Sequence, residues 1–276
     1  MSGDAAARAG GRVAAVRVRP RSALVLALVS SVGVVAFGWP FLADPGSGLA
    51  HSGDAPWVFV VLLPLLLLVV VAELSDGGMD AKAVAVLGVL AAVGAGLRVL
   101  GTGTAGIEPI FVLLILAGRV MGPGFGFVLG NVALLASAFV TGGVGPWLPF
   151  QMIGAGWVGL GAGLLPAVRG RAELGLLAAY GAVTGFAYGA LLNLWFWPFA
   201  TYLGGGIGFV GGDPVGANLV RYGAFYLATS VAWDLMRAVF TAVLVLVTGR
   251  AVLAALRRTA RRASFGVVPG FEPAAR

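Results

Sequence analysis

The stretch that decides the fold is IEPIFVLLILAGRV, residues 107–120. It is apolar from Pro109 to Gly118, yet a helix crossing the hydrocarbon needs about 20 residues and this run offers roughly 14. If it crosses, the chain crosses eight times and both termini share one side. If it does not, there are seven crossings and the termini part.

Seven other apolar runs surround it, at 22–42, 57–73, 83–100, 124–141, 149–167, 174–199 and 222–249. The charges between them settle the count. All but three of the 18 Lys and Arg lie in alternate gaps or in the two tails. The N-terminal tail holds Arg8, Arg12, Arg17, Arg19 and Arg21. Lys82, Arg119, and the pair Arg169 and Arg171 mark alternate gaps. Arg250, Arg257, Arg258, Arg261, Arg262 and Arg276 mark the C-terminal tail. The exceptions are Arg98, Arg221 and Arg237. Positive residues favour the cytoplasmic side, so this alternation places both termini there and requires an even number of crossings. The short run therefore crosses, as a short helix held inside protein.

Composition agrees. The chain has 276 residues, 59% of them hydrophobic and 11% charged. Soluble domains carry about 25% charged residues, so the bilayer is the solvent for most of this surface. There is no Cys and only one His, His51. Disulfides, thiolate chemistry and His-rich metal centres are excluded, and no cofactor is expected. The net charge of +7 sits in loops and tails, where it suits a lipid bilayer and not nucleic acid. The sole lysine, Lys82, among so many arginines suits a GC-rich bacterial genome, hence a bacterial plasma membrane. The first run lacks a clean cleavage site and reads as a retained helix.

Small residues recur at a spacing of four, which puts them on one helix face. The sets are Ala23, Ala27 and Ser31; Gly88, Ala92 and Gly96; Gly122, Gly126 and Gly130; Ala155, Gly159 and Gly163; and Gly181, Gly185 and Gly189. Such faces let backbones approach closely, either within the bundle or against a partner. The spacing leaves both open. GPGFGF at 122–127 lacks the Lys-Ser/Thr of a phosphate loop and reads as a tight turn between helices.

Polar groups inside the runs are few: Asn131, Gln151, Asn193, Asp234 and Arg237. Asp234 and Arg237 are three apart and share a face, an intramembrane pair. On a continuous helix over 222–249, Asp234 falls near the midplane. The pair is either self-neutralising, a link between ligand occupancy and helix position, or, through Asp234, a proton site. Gln151 and Asn193 lie at outer helix ends. Trp147, Trp195, Trp197 and Tyr202 cluster with them, as interfacial anchors or as the wall of a neutral-ligand pocket. The gap 200–221 reads as a lid or as a plain connector.

From about residue 82 to 250 the chain resembles the substrate-binding S component of an energy-coupling factor transporter. The residues that carry the resemblance are PIFVLLILAG at 109–118, GPGFG at 122–126 and GPWLPFQM at 145–152 with GWVG at 156–159. YGALLNLWFWP at 188–198 and SVAWDLMR at 230–237 complete the set. The string around Gln151 is most similar to S components associated with cobalamin uptake. The resemblance implies an all-α polytopic protein with no enzymatic activity. A six-helix binding core over 82–250 would follow an extra transmembrane hairpin at 22–81, between cytoplasmic tails at 1–21 and 251–276. It implies that Trp147, Gln151, Asn193, Trp195, Trp197 and Tyr202 face a vitamin or vitamin precursor. It also implies that Gly88, Ala92 and Gly96 meet a transmembrane coupling subunit, which works with two cytoplasmic ATPases. Competing readings are an ion-coupled carrier working through Asp234 and a non-catalytic membrane scaffold.

Overall fold

The computed structural model describes residues 20–42, 81–101, 105–200 and 206–263. The apolar run at 57–73 and Tyr202 lie outside them. Every regular element among the described residues is helical. The order is α1 (Pro20–Phe37), a single turn α2 (Trp39–Leu42), α3 (Ala81–Gly101), α4 (Ile110–Met121), α5 (Pro123–Thr141), α6 (Leu148–Leu164) and α7 (Arg171–Phe196). A 3-10 turn (Trp197–Phe199), α8 (Val215–Thr229) and α9 (Val231–Ala263) follow. Among the described residues four helices (α3, α5, α7 with its 3-10 turn, and α9) have the length and apolarity to cross a membrane. The first, fourth and sixth are shorter apolar helices. The protein is thus an all-helical, polytopic membrane protein.

The short run is α4. Its 12 residues rise only about 18 Å. Nearly all of them are buried, Ile115, Leu116 and Ala117 completely. Protein, not lipid, surrounds this helix, which removes the need to match the bilayer thickness. The GPGFGF turn is one residue wide. Gly122 links α4 to α5 at φ 114°, its N–H bonds to Gly118 O at 3.0 Å, and Pro123 starts the next helix. A left-handed residue between two helices favours glycine, and proline suits a first helical turn.

The small-residue sets explain the packing. A side chain at Gly118 or Gly126 would run into the Gly159 carbonyl, and one at Gly130 would meet the Ala155 backbone. Helices α4, α5 and α6 therefore touch backbone to backbone. On α7, a Cβ at Gly181 would lie 2.8 Å from Thr241, and one at Gly185 would lie 3.0 Å from Ala238 of α9. Gly189 leaves the space that the Asp234 carboxylate fills. α1 docks on α6: Phe37 meets the Phe150 ring at 5.1 Å, and Trp157 Nε1 donates to Ser30 Oγ at 3.0 Å.

Two expectations change. The run 222–249 is not one helix. It is split at Ser230, whose φ of −129° leaves the helical region. α8 starts earlier, at Val215, and α9 runs on to Ala263. Arg119 is also more than a loop charge. It is 2% exposed and its Nε donates to Glu173 at 2.8 Å. Its other nitrogens donate to the carbonyls of Leu165, Pro166 and Val168, just beyond the end of α6. Arg257 holds Glu173 from α9 at 2.6 Å. One buried carboxylate thus ties α4, α7 and α9 together at the inner end.

Three substitutions test these contacts by thermal melting in detergent. Gly126→Val should destabilise by at least about 1–3 kcal/mol, the range for overpacked cores. Gly88→Val, with nothing among the described residues within 4 Å of its Cβ position, should melt like the wild type. Arg119→Met should cost about 3–5 kcal/mol, since it leaves a buried carboxylate short of a partner.

Candidate functional site

Outer-side polarity is organised by Arg237, in the second turn of α9. Its Nε donates to Glu108 Oε2 at 3.1 Å. Its Nη1 donates to the Gly185 carbonyl of α7 at 3.2 Å and to Asp234 Oδ1. The guanidinium carbon lies 5.5 Å from the Tyr188 ring centroid and 5.9 Å from that of Phe111, within cation–π range. Asp234 accepts a further bond from the Tyr226 hydroxyl at 2.7 Å. The shared face of Asp234 and Arg237 is therefore real.

Their surroundings differ from the expectation. The break at Ser230 moves Asp234 from the middle of a continuous helix to the first turn of α9, where the helix dipole favours a carboxylate. The break also lets Tyr226, on α8, reach Asp234. Glu108 comes from the connection before α4. That connection is pressed onto α9 at Gly106, where φ is 90° and a side chain would meet the Trp233 carbonyl.

A second cross-link joins α3 to α6, where Arg98 Nη2 donates to Gln151 Oε1 at 2.9 Å. A third ties the outer connection. Arg221 pairs with Asp213 at 2.6 Å, and Asn218 exchanges two hydrogen bonds with the Val210 backbone. From residue 206 onward the gap read as lid or connector is a braced loop leading into α8.

The expected aromatic wall divides. Trp195 is buried against Phe150 at 5.0 Å and Phe199 at 5.7 Å. Trp197 is fully buried elsewhere, its Nε1 donating to Ile207 O at 2.7 Å and its ring meeting Phe209 and Tyr222. Trp147, 43% exposed, donates to Gly143 O at 3.1 Å. Asn193 is half-buried, on the α7 face of Gly181, Gly185 and Gly189 and one turn beyond Gly189. It is the outward continuation of the face that receives Asp234. Gly88, Ala92 and Gly96 form an exposed stripe on α3.

Sequence reasoning missed Glu108, Tyr226, Tyr188 and Arg98 as members of this network. A signal for part of it was present. The three cations that break the charge alternation, Arg98, Arg221 and Arg237, are those with outer-side polar partners. Chemically, the network presents hydrogen-bonding groups and balanced charge in a fixed frame. Among the described residues no group of His, Cys, Asp or Glu is placed to hold a metal ion.

Comparison with known proteins gives one assignment. A family model described as ECF transporter, substrate-specific component, matches residues 82–249. Searches of curated proteins and of solved structures return no match. The match spans more than half of the chain and covers every helix from α3 to the transmembrane part of α9. The chain therefore belongs to the family of substrate-specific components of ECF transporters, membrane-embedded transport subunits and not enzymes.

Proposed function

We propose that this subunit captures a vitamin or vitamin precursor, cobalamin-like by preference, from the outer side. A transmembrane coupling subunit and two cytoplasmic ATPases then drive its delivery. Family membership implies a small-molecule substrate and such partners; the vitamin class and the contact residues are our reading. The observation that carries it is the uneven distribution of polarity. The inner half of the core is closed by glycine contacts and by the Arg119–Glu173–Arg257 clamp. The outer half presents Gln151, Asn193 and Glu108 at half-buried positions, and the ring of Trp147 is exposed.

In this reading Asn193 and Gln151 supply hydrogen bonds and Trp147 an apolar contact. Trp195 and Trp197 act from behind, by fixing the end of α7. Tyr202 remains a candidate from sequence. Asp234 is 3% exposed and already engaged by Arg237 and Tyr226, so it serves as an anchor for the network and not as a proton carrier. The docking face is the α3 stripe. Among the described residues no atom lies within 4 Å of a Cβ built at Gly88 or Gly96, and α1 packs on α6. The equivalent α1 stripe, Ala23, Ala27 and Ser31, is also exposed, so it offers a second face.

Titration calorimetry of the purified chain against a vitamin panel, without ATP, should find one tight ligand. Binding to no member overturns the proposal. Asn193→Ala should weaken that binding about fivefold, the worth of one hydrogen bond. Unchanged affinity there and in Trp147→Ala would displace the pocket. Gly88→Leu with Gly96→Leu should keep ligand affinity but lose co-purification with the coupling subunit; full recovery of the complex would move the docking face elsewhere.

A further inference from the structure

The inner end of α9 carries a surface that neither ligand capture nor the α3 stripe uses. Val239, Val243, Leu246 and Val247 are 51, 53, 53 and 75% exposed. They share one face, opposite the buried Asp234, Ala238, Thr241 and Val245. The apolar stripe ends at Arg250, which is exposed. From Val231 to Arg250 the helix rises about 29 Å. The hydrocarbon layer is about 30 Å thick. Arg250 therefore stands where acyl chains give way to headgroups.

The antiparallel contacts of α7 with α9 bring a second cation to this level. Gly189 meets Asp234, Gly185 meets Ala238, Gly181 meets Thr241 and Gly249 meets Leu174. Continued to the start of α7, this register sets Arg171 opposite Val252, about 3 Å further along the helix than Arg250. Arg169 lies two residues before Arg171, and Arg258 two turns beyond Arg250; both are exposed. None of these four arginines has an ion-pair partner among the described residues. The carboxylate on this side among those residues, Glu173, is buried and taken by Arg119 and Arg257.

We infer that this rim binds an anionic phospholipid of the cytoplasmic leaflet. The acyl chains lie along the α9 stripe and the phosphate sits at the level of Arg250 and Arg171. Charge complementarity selects the lipid class, because a zwitterionic lipid supplies the same chains without the net charge. Each juxtamembrane arginine contributes about fivefold in affinity for an anionic surface.

The test is native mass spectrometry of the full chain in detergent, titrated with phosphatidylglycerol and with phosphatidylcholine of the same acyl chains. The wild type should retain phosphatidylglycerol preferentially. Arg250→Gln should lower that preference about fivefold, Arg171→Gln with Arg250→Gln should abolish it, and Arg250→Lys should preserve it. Equal retention of the two lipids, or an unchanged preference in the double variant, overturns the inference. So does displacement of the lipid by inorganic phosphate at equal concentration, which would mark a site for soluble anions. A double variant that keeps its lipid preference but loses the coupling subunit would reassign the rim as a protein interface and overturn it too. Both side chains are exposed, so melting temperatures matching the wild type verify that the variants fold.

Discussion

The structure depends on backbones meeting at Gly159. In lipid the hydrophobic effect does not press helices together, since acyl chains are as apolar as leucine. Close contact and polar bonds must do that work. Gly118 of α4 and Gly126 of α5 both meet the Gly159 carbonyl of α6. Because three helices converge there without side chains between them, α4 is enclosed by protein. Enclosure is what permits a 12-residue helix in a membrane protein.

That enclosure separates the two ends of the molecule. At the inner end, Arg119 donates to Glu173 and to three carbonyls beyond α6. A buried charge is tolerated there because it is paired and each of its three nitrogens donates a hydrogen bond. At the outer end, Arg237 joins the connection before α4 to α7 and α9. Asp234, which Arg237 holds, joins α8 through Tyr226. The glycine face of α7 links these levels, since Gly181, Gly185 and Gly189 set the register that brings Asp234 to its place. A ligand held outside would thus rest on groups whose positions are fixed by contacts through the whole bundle.

Much of this was legible in the residues. The run at 107–120 looked too short, and the alternating arginines still required it to cross. Asp234 and Arg237 could be paired because three residues on a helix bring side chains to one face. The small-residue sets could be found but not matched. The set on α7 turned out to pack inward, those on α5 and α6 to meet each other, and that on α3 to face outward. The long run at 222–249 concealed a break, because its serine and its neighbours carry no proline or glycine to mark it. The aromatic cluster divides for a related reason. Trp195 and Trp197 are two apart, so on a helical end they point into different clusters.

The sequence by itself determined the class of protein, the number of apolar runs and the side on which each charge belongs. Those follow from the cost of placing charge in hydrocarbon, which acts on each residue in turn. Only the tertiary structure decided that Glu108 answers Arg237 across 129 positions. It alone decided that Arg119 is a buried clamp, and that Asn193 continues the face receiving Asp234. Those pairings depend on which helix lies beside which. That choice is made by close packing over many contacts at once, and no local spacing records it.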